Sequence, residues 1–158
     1  MKRILILILL VMPVLARAQN TSREFFNRYA QADGFTSVQL ERKMMRMMSR
    51  QAAEKGDEKL AELLDGIQYI RIVALNGGDA EQFVRDAKAL VSEPDSGFQL
   101  VMSEGEAKQT TQFYLRNEYL CSELLMLTSG PRETVVVNIY GTFDLQQVAR
   151  LSTIRPKH

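Results

Sequence analysis

From Phe98 onward apolar residues recur at every second position, a period that commits this half of the chain to extended strands. Phe98, Leu100 and Met102 alternate with Gln99, Val101 and Ser103, and Glu104-Gly105-Glu106 then supplies a turn. Lys108 to Arg116 continues the pattern, with Phe113 and Leu115 pointing one way and Tyr114 the other. Tyr119 to Leu127 forms the next strand and Ser129-Gly130-Pro131 the next turn, before the β-branched run from Thr134 to Tyr140. Such short connections join antiparallel neighbours, because a parallel return needs a crossover of about a dozen residues or more. The expectation is an antiparallel meander.

The first half carries helix signals instead. Thr21 with Glu24 makes a capping-box pattern ahead of Phe25, Phe26 and Tyr29, and Asp33-Gly34 ends that helix. Thr36 with Gln39 opens a second predicted helix running to Lys55, with Gly56 as its stop. Asp57 caps a third, which bears Leu60, Leu63 and Leu64. Gly77-Gly78-Asp79 leads into a fourth, where Phe83, Val84, Ala87, Leu90 and Val91 repeat at helical spacing until Pro94. Between them Ile67 to Leu75 is apolar apart from Gln68 and Arg71, the pattern of a strand buried on both faces. Asp144 with Gln147 caps a closing helix with Leu145, Val148 and Leu151. The order of elements predicts an α+β fold: an antiparallel or mixed sheet of about five strands with helices packed on one face.

The N-terminus has the zones of a cleavable export signal. Lys2 and Arg3 precede the apolar run Ile4 to Met12, Pro13 breaks it, and Ala16-Arg17-Ala18 has the small-x-small form of a cleavage site. The run is shorter than the roughly 17 to 25 residues that a membrane span requires. The expected organisation is a signal peptide over residues 1–18 and one domain over residues 19–158, periplasmic or secreted after cleavage between Ala18 and Gln19. No cysteine stands at that site to carry a lipid, and no membrane span is expected in the mature chain. Removing Lys2, Arg3 and Arg17 from the 20 basic residues leaves 17 against 19 acidic ones, a net charge of −2. A mildly acidic, mixed surface argues against nucleic acid, whose binding rests on a basic patch neutralising phosphates.

Two residue types bound the chemistry. The one histidine is His158, the last residue, so a Ser-His-Asp or Cys-His centre has no base within the folded part of the chain. Cys121 is the one cysteine, so neither an internal disulfide nor a His/Cys zinc site is available. Flanked by Leu120, Leu124 and Leu125, it is expected to be a small buried packing residue in a strand. The carboxylates form no evident acid/base pair: Asp57, Asp79 and Asp144 are accounted for as caps, and Glu118 and Glu123 sit close enough in sequence to approach each other. Gly77-Gly78 before a helix lacks the further glycines and lysine of a phosphate loop. No cofactor is expected.

Met44, Met45, Met47 and Met48 form the most unusual local feature, and three readings stand. Leu40, Met44, Met47 and Met48 make a core stripe, since methionine fills irregular gaps. Alternatively Met44, Met45 and Met48, with Arg42, Arg46 and Arg50 four apart beside them, present an adaptable basic surface to a partner. As a third reading, Met44, Met45, Met47 and Met48 offer soft thioether ligands to Cu(I), a metal that exported proteins meet.

The Asp33-Gly34 helix end, Thr36-Ser37-Val38, the methionine-rich segment, Leu64-Asp65-Gly66-Ile67 and the closing block Val135 to Leu145 together resemble a known family. The chain is similar, over residues 22 to 153, to the exported bacterial proteins catalogued as domain of unknown function 4252. The strand–Gly–x–x–Asp–Leu ending at Gly141-Thr142-Phe143-Asp144-Leu145 is the most specific part. The resemblance implies an envelope location and an α+β fold, and it transfers no catalytic residue. Many of its relatives look like lipoproteins, a pattern from which this chain departs by lacking the lipid-bearing cysteine. The resulting expectation is a non-enzymatic envelope protein that binds another protein or peptide, with a Cu(I)-handling protein as the alternative.

Overall fold

A computed structural model of the protein describes residues 17–106 and 108–152. The body of the predicted export signal and the terminal His158 lie outside these residues; Arg17 and Ala18 open the first helix. In chain order the elements are α1 (Arg17–Ala30), β1 (Phe35–Glu41), α2 (Arg42–Glu54), α3 (Glu58–Gly66), β2 (Ile67–Leu75), α4 (Ala80–Ser92), β3 (Gln99–Glu106), β4 (Gln109–Asn117), β5 (Ser122–Ser129), β6 (Val135–Gly141) and α5 (Leu145–Ser152). The strands form one six-stranded open sheet in the order β1-β2-β6-β5-β4-β3, and every neighbouring pair is antiparallel. The α+β class and the meander from β3 to β6 agree with the sequence reading.

The sixth strand is the segment Phe35 to Glu41, expected from Thr36 and Gln39 to be helical. It pairs with β2 along its whole length, from Phe35 opposite Leu75 to Glu41 opposite Tyr69. Seven residues carry too little helix propensity to outweigh a full ladder of backbone bonds with a neighbouring strand. Two smaller expectations also change. Helix α1 begins at Arg17, so Thr21 stands inside it rather than capping it. Glu104 and Glu106 belong to β3, paired with Thr111 and Gln109, and the chain reverses beyond them, where Lys108 takes a φ of 74°.

The helices cover both faces of the sheet, not one. On the first face α1 and α4 bring Phe25, Phe26, Tyr29, Phe83, Ala87 and Val91 onto Val73, Leu125, Leu127 and Val136. The rings interlock: Phe83 lies 5.7 Å from Phe25, 4.7 Å from Tyr29 and 5.0 Å from Phe35. On the second face α2, α3 and α5 bring Met45, Ala52, Leu63, Leu64 and Val148 onto Ile67, Phe113 and Leu124. The reason lies in the central strands. Leu124 to Leu127 is a continuous apolar run, so alternate side chains emerge on opposite faces and each face needs its own cover.

Local signals place the helices. Asp57 accepts from the Leu60 amide at 3.1 Å and Asp79 from the Gln82 amide at 3.0 Å, so two predicted N-caps form as expected. Asp144 does the same for the Gln146 amide at 3.0 Å, while Gln147 reaches back to the Asp144 amide at 3.1 Å. Gly66 sits where α3 gives way to β2, and a Cβ there would collide with the Thr142 carbonyl. In turn Thr142 N–H donates to the Gly66 carbonyl at 2.9 Å, which holds the end of β6 against the start of β2.

Two measurements test this packing. Met45 is fully buried whereas Met47 is 48% exposed, so Met45→Ala is expected to cost about 2–5 kcal/mol in urea unfolding and Met47→Ala less than about 0.5 kcal/mol. The Tyr29 hydroxyl donates to Asp86 at 2.7 Å, and burial together with that bond pushes its pKa up to about 12. The native state therefore keeps a proton that the unfolded chain, with an ordinary phenol pKa near 10, releases. Stability is full below about pH 10 and falls as the pH rises toward 12, by on the order of 2 kcal/mol from this group. Unfolding free energies measured between pH 9 and 11.5 are expected to show the loss, and Tyr29→Phe is expected to reduce it in part, since Tyr69, Tyr114 and Tyr140 are also raised.

Candidate functional site

The residues singled out by sequence separate into different environments. Met45 belongs to the second-face core, while Met44, Met47 and Met48 are 43%, 48% and 37% exposed. The core stripe of Leu40, Met44, Met47 and Met48 is thus corrected: Met45 and the half-buried Leu40 pack inward, and the other three thioethers face solvent. Met45, at the centre of the buried turn, is also unavailable as part of a partner surface or as a copper ligand. A helix turning 100° per residue cannot point four near-consecutive side chains the same way.

The arginine row divides similarly. Arg42 donates to the Asp65 and Ile67 carbonyls, the latter at 3.0 Å, and lies 3.6 Å from the Asp65 carboxylate. It serves the C-terminal end of α3, where unsatisfied carbonyls favour a cation. Arg46 and Arg50 are exposed. Cys121 is half-buried in the loop before β5 rather than inside a strand, next to Tyr119 and Leu120, which are 99% and 77% exposed.

A second cluster, not anticipated from the sequence, lies on the first face beyond the edge of the aromatic core. Strand register aligns Tyr69 of β2 with Tyr140 of β6, Tyr140 with Glu123 of β5, and Glu123 with Arg116 of β4. Four polar side chains thus form one row across four strands. The adjacent row places Arg71 opposite Asn138. Tyr69 and Tyr140 stack at 5.2 Å with planes 17° apart, and the Arg71 guanidinium lies 4.3 Å from the centre of the Tyr69 ring.

Glu123 is the hub of this row and is almost fully buried, its side chain 3% exposed. It pairs with the Arg116 guanidinium and accepts from Asn138 Nδ2 at 2.8 Å and from Ser22 Oγ of α1 at 3.4 Å. Arg116 also lies 3.4 Å from Glu118, donates to the Ser96 carbonyl at 3.1 Å and rests 4.7 Å from the centre of the Phe98 ring. Glu118 and Glu123 therefore do come near each other, with one arginine between them. A buried carboxylate is tolerated because its cation and its hydrogen-bond donors are supplied together. Two buried polar atoms of the cluster, Asn138 Oδ1 and Arg116 Nε, have no hydrogen-bond partner among the described residues.

Burial raises the pKa of both phenols, for Tyr140 with the help of nearby Cys121 and Glu118 to about 12, and for Tyr69 together with the nearby charge of Glu123. The cluster encloses a cleft of about 230 Å³ lined by Tyr69, Arg71, Arg116, Glu118, Glu123 and Tyr140, with Ser22 and Arg23 of α1 above. With Glu123 held by three donors and the Tyr140 hydroxyl donating to Glu118 at 3.5 Å, the groups left at the cleft are the Tyr69 phenol and the Arg71 guanidinium, which makes no ion pair among the described residues. That arrangement suits holding a ligand.

The sequence signal for this cluster was present but thin. Gln68 and Arg71 were the polar interruptions of an otherwise apolar strand, and Glu123 and Asn138 interrupt two others. What joins them is strand register. The buried pair yields a stability test. Glu123→Ala leaves Arg116 with only the less buried Glu118 and unpairs Asn138 Nδ2 and Ser22 Oγ, and is expected to cost about 3–5 kcal/mol, whereas the double change Arg116→Met with Glu123→Leu is expected to recover part of that loss in chemical denaturation.

Comparison with curated proteins and with solved structures finds no match. A family model does match, over residues 29–151, which takes in every strand of the sheet. The chain therefore belongs to the family described as domain of unknown function (DUF4252).

Proposed function

We propose that the protein is a non-enzymatic binding module of the cell envelope, released by removal of residues 1–18, which docks a protein or peptide on helix α2. The supporting observation is the exposure of Met44, Met47 and Met48 together on that helix. Positions i, i+3 and i+4 fall on one face, and flexible thioethers adapt to an apolar partner surface. Arg42, Lys43, Arg46 and Arg50 against Glu54 leave α2 with a net charge of +3, on a mature chain of −2. The fitting partner is an apolar segment flanked by acidic residues, which the exposed Arg46 and Arg50 steer and the methionines bury. Arg42, occupied by α3, takes no part.

The same spacing supports the second reading, in which the three exposed sulfurs hold Cu(I) as soft ligands. The two are separated by experiment. A double change Met44→Asp with Met48→Asp, in surface positions and with an unchanged melting temperature, is expected to abolish co-purification of the envelope partner. Retention of that partner by the variant would exclude α2 as the docking face. Tight, saturable Cu(I) binding by the wild type that Met47→Leu removes would replace docking with copper handling. Cell fractionation with N-terminal sequencing tests the location: a periplasmic or secreted product starting at Gln19 is expected.

A further inference from the structure

The first-face cleft is distinct from α2, which packs on the opposite face of the sheet. It is built from groups that core packing does not require. Three guanidiniums, those of Arg23, Arg71 and Arg116, face two carboxylates, those of Glu118 and Glu123, a net of one positive charge. Within the half-buried wall Arg71 and Arg116 balance Glu118 and Glu123, so the excess positive charge comes from the exposed Arg23 at the mouth; Arg116 lies within ion-pair distance of both carboxylates, whereas Arg71 makes no ion pair among the described residues. Stacking on Tyr69 keeps that guanidinium in place beside the cleft. The Tyr69 phenol adds a hydroxyl donor, while the Tyr140 hydroxyl donates to the Glu118 carboxylate at 3.5 Å.

We propose that this cleft binds a small organic monocarboxylate, its carboxylate held by the Arg71 guanidinium and the phenol of Tyr69. A planar guanidinium fork matches a carboxylate with two parallel hydrogen bonds. One excess positive charge suits a monoanion rather than a doubly charged phosphate. The cleft, at about 230 Å³, lies just below the usual range for ligand sites, which limits the body of the ligand to about the size of a single ring. The site is independent of docking on α2, and failure of either leaves the other standing.

The test is a nuclear magnetic resonance titration of the isotope-labelled purified protein with sodium benzoate, following the arginine Nε–Hε signals. Saturable shifts of Arg71 are expected, with benzamide and inorganic phosphate each at least tenfold weaker. Arg71→Gln is expected to weaken benzoate at least tenfold while retaining the wild-type backbone spectrum, and Arg46→Gln on α2 is expected to change nothing. Tyr69→Phe, which keeps the stacked ring, is expected to give an intermediate loss, and provides a second variant should Arg71→Gln fold poorly. No saturable shift with benzoate, equal shifts with benzamide, or tighter binding of phosphate would overturn the proposal. So would benzoate binding undiminished in both Arg71→Gln and Tyr69→Phe.

Discussion

The central strands β2, β6 and β5 are apolar on both faces, and the rest of the molecule answers to that. A sheet of this kind leaves water only when each face is covered. The chain covers the first face with α1 and α4 and the second with α2, α3 and α5. The connection from β2 to β3 makes this possible, since α4 carries the chain from the second strand position to the far edge. From there β3, β4, β5 and β6 return by tight turns until β6 pairs with β2.

Where the helical cover gives out, polar groups enter the strands. The aromatic cluster of Phe25, Tyr29, Phe35 and Phe83 occupies one part of the first face, and the row of Tyr69, Tyr140, Glu123 and Arg116 continues beyond it. Ser22 of α1 touches both worlds, four residues ahead of Phe26 and hydrogen-bonded to Glu123. A cluster so deeply placed is costly unless each charge has its partner, so Arg116 and Glu123 are best understood as a unit. The cleft is a by-product of the same geometry: a row of polar side chains cannot close as tightly as the interlocked rings beside it.

Much of the secondary structure was legible from the sequence because it rests on local causes. Asp57, Asp79 and Asp144 cap the helices assigned to them, and Ile67 to Leu75 is a strand with those bounds. The segment Phe35 to Glu41 imitates a helix start through Thr36 and Gln39, while the deciding contact, with β2, lies 28 to 40 residues away in the chain. The two-sided packing has a different cause: Leu124 to Leu127 is as continuously apolar as Ile67 to Leu75, and both demand cover on each face.

By itself the sequence determined the α+β class, the antiparallel return of the second half, most helix caps and the membership of a family, all properties of neighbouring residues or of pattern along the chain. Only the tertiary structure decided which methionine is buried, since Met44, Met45, Met47 and Met48 are chemically equal and differ in the angle at which α2 meets the sheet. It alone also decided the polar row, because Tyr69, Arg116, Glu123 and Tyr140 come from four strands and meet through register. A shift of one residue in any of those ladders would turn a side chain to the opposite face and dissolve the cleft.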